Sequence, residues 1–157
     1  MSFFKKKKRF DITKPIVNPD LKRAIKVFNL NKSEQTLQGF DAALKKASFL
    51  VLVNQDQIKT TKGDSPNAEI VEKGSIIKFL KTFDQNNDSF LPIFTDWNEV
   101  DLWVKSREGI AGWIMTITEV SALVLESNDK GLVINPCSDR WTMTKEQINT
   151  FISESLN

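Results

Sequence analysis

Phe49-Leu50-Val51-Leu52-Val53 is an unbroken apolar run in an otherwise mixed sequence. Five apolar residues in a row, without alternation, predict a strand buried on both faces. The residues just before it decide what kind of sheet it belongs to. Leu37, Phe40, Leu44 and Ala47 recur every three or four positions after Ser33, the pattern of a helix capped by that serine and ending at Ser48. A helix that runs directly into a buried strand predicts an α/β (α+β) layered domain.

Upstream of that helix, Asn18-Pro19 supplies an N-cap and a first-turn proline, and Leu21, Ala24, Ile25 and Phe28 follow at helical spacing. Residues 1–17 read as a flexible basic tail. Lys5, Lys6, Lys7, Lys8 and Arg9 repel one another, and little apolar surface surrounds them. Downstream, residues 55–74 are polar around Gly63-Asp64-Ser65-Pro66-Asn67 and read as a long loop with one short edge strand. Strands are expected near Ser75 to Thr82 and Phe90 to Phe94, joined by the turn Asp84-Gln85-Asn86-Asn87-Asp88. Asp96 and Glu99, Thr116 and Glu119, and Thr144 and Gln147 each have capping-box spacing and predict three helix starts. Between them, Trp113 to Met115, Leu132 to Asn135 and Trp141 to Met143 read as extended pieces, the second stopped by Pro136. The sum is one domain over 18–157, with a mixed, substantially antiparallel sheet of about five strands flanked by helices and a helical extension at 18–47.

Composition narrows the chemistry. The chain has 157 residues, no histidine and one cysteine, Cys137. A Ser-His-Asp or Cys-His nucleophile, and a zinc site built on histidines or on four cysteines, therefore cannot be assembled from it alone. It contains no glycine-rich phosphate loop. Neither an apolar run of membrane-spanning length nor a signal-peptide core is present, and a lone cysteine suits a reducing compartment, so a cytoplasmic location is expected. The net charge of +2 conceals an asymmetry: residues 1–50 hold 12 cations and 4 acids, and the remainder hold 10 and 16.

Two segments in order, Phe90-Leu91-Pro92-Ile93-Phe94-Thr95-Asp96 leading into a Trp-bearing helix and Gly131-Leu132-Val133-Ile134-Asn135-Pro136 before a capped last helix, resemble the N-terminal domain of the SseB (enhanced serine sensitivity) family. The resemblance spans roughly Ala47 to Ile152 and leaves the helical extension outside. It implies a bacterial α/β domain without an established catalytic residue, and so no active site to carry over. The chain departs from the pattern in lacking a proline after Phe49 to Val53 and in placing Cys137-Ser138 after Asn135-Pro136.

Read for their own physics, the shared residues have backbone roles: Pro92 suits an edge or bulged strand, Thr95-Asp96 starts a helix, and Asn135-Pro136 ends a strand. A functional reading sets beside this a rim on which Phe94 to Asp96 and Asn135 to Asp139 converge, because ligands favour strand ends in α/β sheets. The candidate contact residues are Trp97, Leu102 and Trp103, with Trp103 at the edge of the helix's apolar stripe and Leu102 on its far side, followed by Asn135, Pro136, Cys137 and Asp139. Asp84, Asn86 and Asp88 share calcium-loop spacing, but Ser89 and Thr95 stand where glycine and glutamate are needed, so a hairpin turn is expected and no structural metal. The resulting expectation is a non-catalytic binding module with a protein partner and no cofactor. The alternatives are attachment to an anionic membrane through the basic tail, with nucleic acid less favoured, and an enzyme working through carboxylates alone.

Overall fold

In the computed structural model, residues 16–54, 60–62, 69–71 and 78–155 are described. The opening apolar run forms β1 (Ser48–Asn54), whose five inner residues are all buried. Phe49, Val51 and Val53 point to one side of the sheet and join the main core, while Leu50 and Leu52 point to the other and join a smaller cluster. That two-sided burial is why the run shows no alternation.

Two helices precede β1, α1 (Pro19–Leu30) and α2 (Glu34–Lys46). After it come the short strands β2 (Thr60–Lys62) and β3 (Glu69–Val71), then β4 (Thr82–Phe83), β5 (Ser89–Phe94) and α3 (Trp97–Trp103). The chain finishes with β6 (Ile110–Thr116), α4 (Ile117–Glu126), β7 (Gly131–Ile134), β8 (Trp141–Thr144) and α5 (Lys145–Ser155). The main sheet has the order β6-β1-β5-β7-β8, with β4 also paired to β5. Only β5 and β7 run parallel. This is the mixed, mostly antiparallel α+β sheet expected. Leu21, Ile25, Phe40, Leu44, Val120, Val124, Ile148 and Phe151 bring α1, α2, α4 and α5 onto one face, and α3 packs on the other through Val100.

Several sequence expectations need correction. In the helical extension at 18–47, Leu21, Ile25, Phe40 and Leu44 of α1 and α2 lie in the main core, each no more than 1% exposed. In place of one edge strand in a long loop, β2 and β3 form their own antiparallel ladder, with Thr60 opposite Val71 and Thr61 opposite Ile70, residue types enriched in strands. The loop's other residues, like Lys5 to Arg9 of the tail, lie outside those described. Of the strand expected at Ser75 to Thr82, residues 75–77 lie outside those described; among the described residues Phe79 makes an isolated bridge to Val53, and ladder pairing begins at Thr82 with Phe90. β1 and β4 share one side of β5, β1 pairing with Ile93 and Phe94 and β4 with Ser89 and Phe90.

The expectation for Pro92 is an edge or bulged strand, yet β5 is central. The carbonyls of Ser89 and Ile93 accept from the Lys130 and Asn135 N–H groups, so odd residues of β5 face β7 and Pro92 faces the opposite way. On that side β1 pairing ends at Val51 with Ile93, and β4 pairing begins at Thr82 with Phe90. The missing N–H falls in the gap between two partners and costs no ladder bond.

The caps follow the sequence closely. Ser33 accepts from the Thr36 N–H, Asp96 from Glu99, Thr116 from Glu119 and Thr144 from Gln147. The turn Asp84 to Asp88 is held by the Asp84 carboxylate, which accepts from the N–H groups of Asn86 and Asp88. Asn18 is the exception. It occupies the N-cap position of α1, but its side chain makes no cap bond and instead donates to the carbonyls of Ser48 (2.7 Å) and Thr95 (2.8 Å). It clamps the start of α1 to the ends of two strands.

Candidate functional site

β5 and β7 run parallel, so their C-terminal ends open on the same rim, and each end continues into a polar loop. Asn135, with a left-handed φ of 50°, stands at the centre and is fully buried. Its Oδ1 accepts from the Thr95 N–H at 3.0 Å, and its Nδ2 donates to Thr95 Oγ1 at 3.0 Å and to Asp139 Oδ2 at 2.7 Å. The Thr95 hydroxyl in turn donates to Asp96 Oδ2 at 3.0 Å. The Asn135 carbonyl accepts from the N–H groups of Ser138 and Arg140, closing the β7–β8 loop into a tight turn after Pro136. Asn135 therefore lies just past β7 rather than within a strand, because its side chain ties the two loops together.

The network spreads into α1 and α3. Lys22 Nζ lies 3.0 Å from Asp96 Oδ2 and 3.5 Å from Glu99 Oε1, and the Ser138 hydroxyl donates to Glu99 Oε2 at 2.7 Å. Only half of the predicted box at Asp96 forms, since the Glu99 carboxylate is drawn to Lys22 and Ser138. Burial works to raise the Asp96 carboxyl, but the Lys22 ammonium, the Glu99 N–H and the Thr95 hydroxyl outweigh it and hold the group below the ordinary carboxylate value. Burial likewise opposes the charge on Lys22, and its two acidic partners reverse the effect and raise it. The carboxylates on this rim are thus committed to bonds within the fold.

The same rim carries an exposed apolar surface. The Trp97 indole rests against Gly112 of β6, where a Cβ would come within 2.8 Å of two ring carbons, so a larger residue there would displace the ring. The Arg107 guanidinium stacks on Trp97 at 4.6 Å while making a two-point contact with Asp101, both bonds 2.7 Å long. Trp103 tilts against the buried Phe94, with ring centroids 5.7 Å apart. These contacts fix α3 although it is only two turns long. Leu102 is left on the outside with 62% of its surface exposed. Exposed Cys137 rests beside it, its thiol 3.4 Å from the Leu102 carbonyl.

The residues singled out from sequence are therefore neighbours. Trp97, Leu102 and Trp103 on α3 adjoin Asn135, Pro136, Cys137 and Asp139 through the Cys137–Leu102 and Ser138–Glu99 contacts. Their roles differ: Asn135 and Asp139 are structural ties, Trp97 and Trp103 are half-buried anchors, and Leu102 and Cys137 face outward. Sequence reasoning missed Lys22 and Arg107, and it placed Ser138 on the rim without its partner. Nothing local marks these pairings, since the partners lie 74, 10 and 39 positions away in the chain, counting Lys22 to Asp96, Arg107 to Trp97 and Ser138 to Glu99.

A groove of about 350 Å³ lies between the start of α1 and the second half of α2 and meets the rim at Asn18. Val17 to Leu21, Ala42, Ala43, Lys46 and Ala47 line it, with a single carboxylate, Asp20, so it offers no pair of acids. No helix among the described residues is long and apolar enough to cross a membrane.

The family model described as SseB protein N-terminal domain matches residues 21–150. The matched stretch includes most of α1 and all of α2, which the sequence resemblance leaves outside. No curated protein and no solved structure matches the chain.

Proposed function

We propose that this chain, which belongs to the SseB family through its N-terminal domain, is a non-catalytic binding module whose contact surface is the outer side of α3 with the adjoining β7–β8 loop, and whose partner is another protein. The observation that carries this reading is Leu102: 62% exposed, on a helix fixed from beneath by Trp97, Val100 and Trp103. A rigidly presented aliphatic side chain beside half-buried indoles is the composition of an interface centre, where aromatic anchors dominate the energy. The state of the acids supports binding over catalysis, because Asp96 and Glu99 share Lys22 and already hold bonds from Thr95, the Glu99 N–H and Ser138.

Leu102→Asp tests the proposal. Exposure of Leu102 predicts a stability change within about 0.5 kcal/mol, or a shift of about 1–2 °C in Tm for a domain of this size. A protein recovered with the parent chain from its native cell should be lost with the variant. A drop in Tm well beyond that range would make Leu102 a core residue, and undiminished recovery of the partner would move the contact elsewhere.

A further inference from the structure

The outer side of α1 forms a second surface of a different kind. Leu21 and Ile25 point into the core, and at 100° per residue Arg23, Lys26, Val27 and Leu30 fall at i, i+3, i+4 and i+7 on the opposite side. Leu30 is 88% exposed, the most of any large hydrophobic residue among those described, and Val27 is 45% exposed. Arg23 and Lys26 are exposed on the same stripe, Arg23 within 3.2 Å of Asp20. Two cations followed by two aliphatics on the solvent side of a core helix is the composition of a helix that rests in a bilayer interface.

Charge points to the same occupant. The 15 residues that lead into α1 contain Lys5 to Lys8, Arg9 and Lys14 against one acid, Asp11, together with Phe3, Phe4 and Phe10. They join the described fold at Ile16, three residues before the helix begins. We propose that the outer side of α1 docks on an anionic lipid bilayer, with Leu30 and Val27 entering the headgroup boundary and Arg23 and Lys26 facing lipid phosphates and carboxylates, the net charge of the preceding sequence adding to the attraction. A second copy of the chain fits this surface poorly, because a two-fold contact would oppose two faces drawn from a segment with a net charge of +8. Nucleic acid would satisfy the cations and leave Leu30 and Val27 without a partner. The surface is carried by α1, so the side of α3 stays open for a protein.

Sedimentation of the full chain with phosphatidylcholine vesicles, with and without phosphatidylserine, tests this. Pelleting should require phosphatidylserine, weaken with added salt, and persist in excess inorganic phosphate. Each cation near an anionic surface is worth about fivefold in partitioning, so replacing Lys5 to Arg9 with Gln should abolish pelleting. Leu30→Ala, with Tm unchanged, should weaken it by about tenfold or more, the scale of losing buried methylenes. Equal pelleting with and without phosphatidylserine overturns the proposal. So does a Leu30→Ala variant that pellets like its parent, or a duplex DNA that binds the chain while the vesicles do not.

Discussion

Replacing Asn135 tests whether the rim is a tie within the fold. Its side chain makes three hydrogen bonds, and its main chain has a left-handed φ of 50°. Asn135→Gly removes the three bonds and leaves the backbone at ease. The Thr95 N–H, fully buried, then loses its acceptor, at about 1–3 kcal/mol for a stranded donor. Loss of the bond to the Asp139 carboxylate adds about 1 kcal/mol, water replacing part of it because Asp139 is half-buried. The glycine variant should therefore cost about 2–4 kcal/mol. Asn135→Ala suffers the same losses and also places a Cβ in the left-handed region, adding about 1–2 kcal/mol. Urea unfolding followed by tryptophan fluorescence measures both, and Tm should fall by about 2–4 °C per kcal/mol. The order is the decisive result: alanine must be worse than glycine, and both must be worse than the parent. An alanine variant within about 1 kcal/mol of the parent, or one more stable than glycine, would refute the account of the rim.

Two further substitutions probe the interior. Asp129 is 4% exposed and accepts from the hydroxyls of Ser89 (2.7 Å) and Ser127 (3.0 Å) beside the Lys81 ammonium. Burial tends to raise its carboxyl, but Lys81 and the two serines outweigh burial and hold it below the ordinary 3.8, as Asp96 is held by Lys22. Both groups therefore bind fewer protons folded than unfolded. Their contribution is complete above pH 3.8 and is lost as the pH falls through the lower folded values. The gap in urea midpoint between the parent and Asp129→Asn should stay level down to that region and then narrow; a gap that widens on acidification would contradict the assignment. Ser121 in α4 is fully buried, and its hydroxyl finds no hydrogen-bond partner among the described residues. Ser121→Ala should stabilise the domain by about 0.5–1.5 kcal/mol, and a lower Tm would show that the hydroxyl is bonded.

Elements whose causes lie within a few residues are legible in the sequence. The apolar run of β1, the caps at Ser33, Asp96, Thr116 and Thr144, and the turn at Asp84 are such cases. Misreadings arise where a residue answers to something distant. Asn18 has the form of a cap, but its acceptors lie 30 and 77 positions away. Asp129 has the form of one residue in a turn, and its cation comes from 48 positions upstream. The first two helices read as an extension outside the family resemblance, while the surface they cover is supplied by later strands and helices. Leu102 is visible as an off-stripe residue on its helix. That Cys137 and Ser138 lie beside that helix depends on how two loops fold back, which no local pattern encodes.

Pro92 has a consequence for how the strands find one another. Sliding β5 by one residue would turn its empty position toward β7 and forfeit a bond there, while moving Leu91 and Ile93 out of the main core. Sliding it by two would bring the proline opposite Leu50 or Thr82, where the N–H groups of Phe94 and Phe90 now face a partner strand. Of these registers, only the native one sets the ring against no waiting acceptor. The proline adds nothing to the bonding of the finished sheet, yet it penalises each neighbouring misalignment, and its substitution should show first as misregistered, aggregation-prone chains during refolding and only second as a loss of stability.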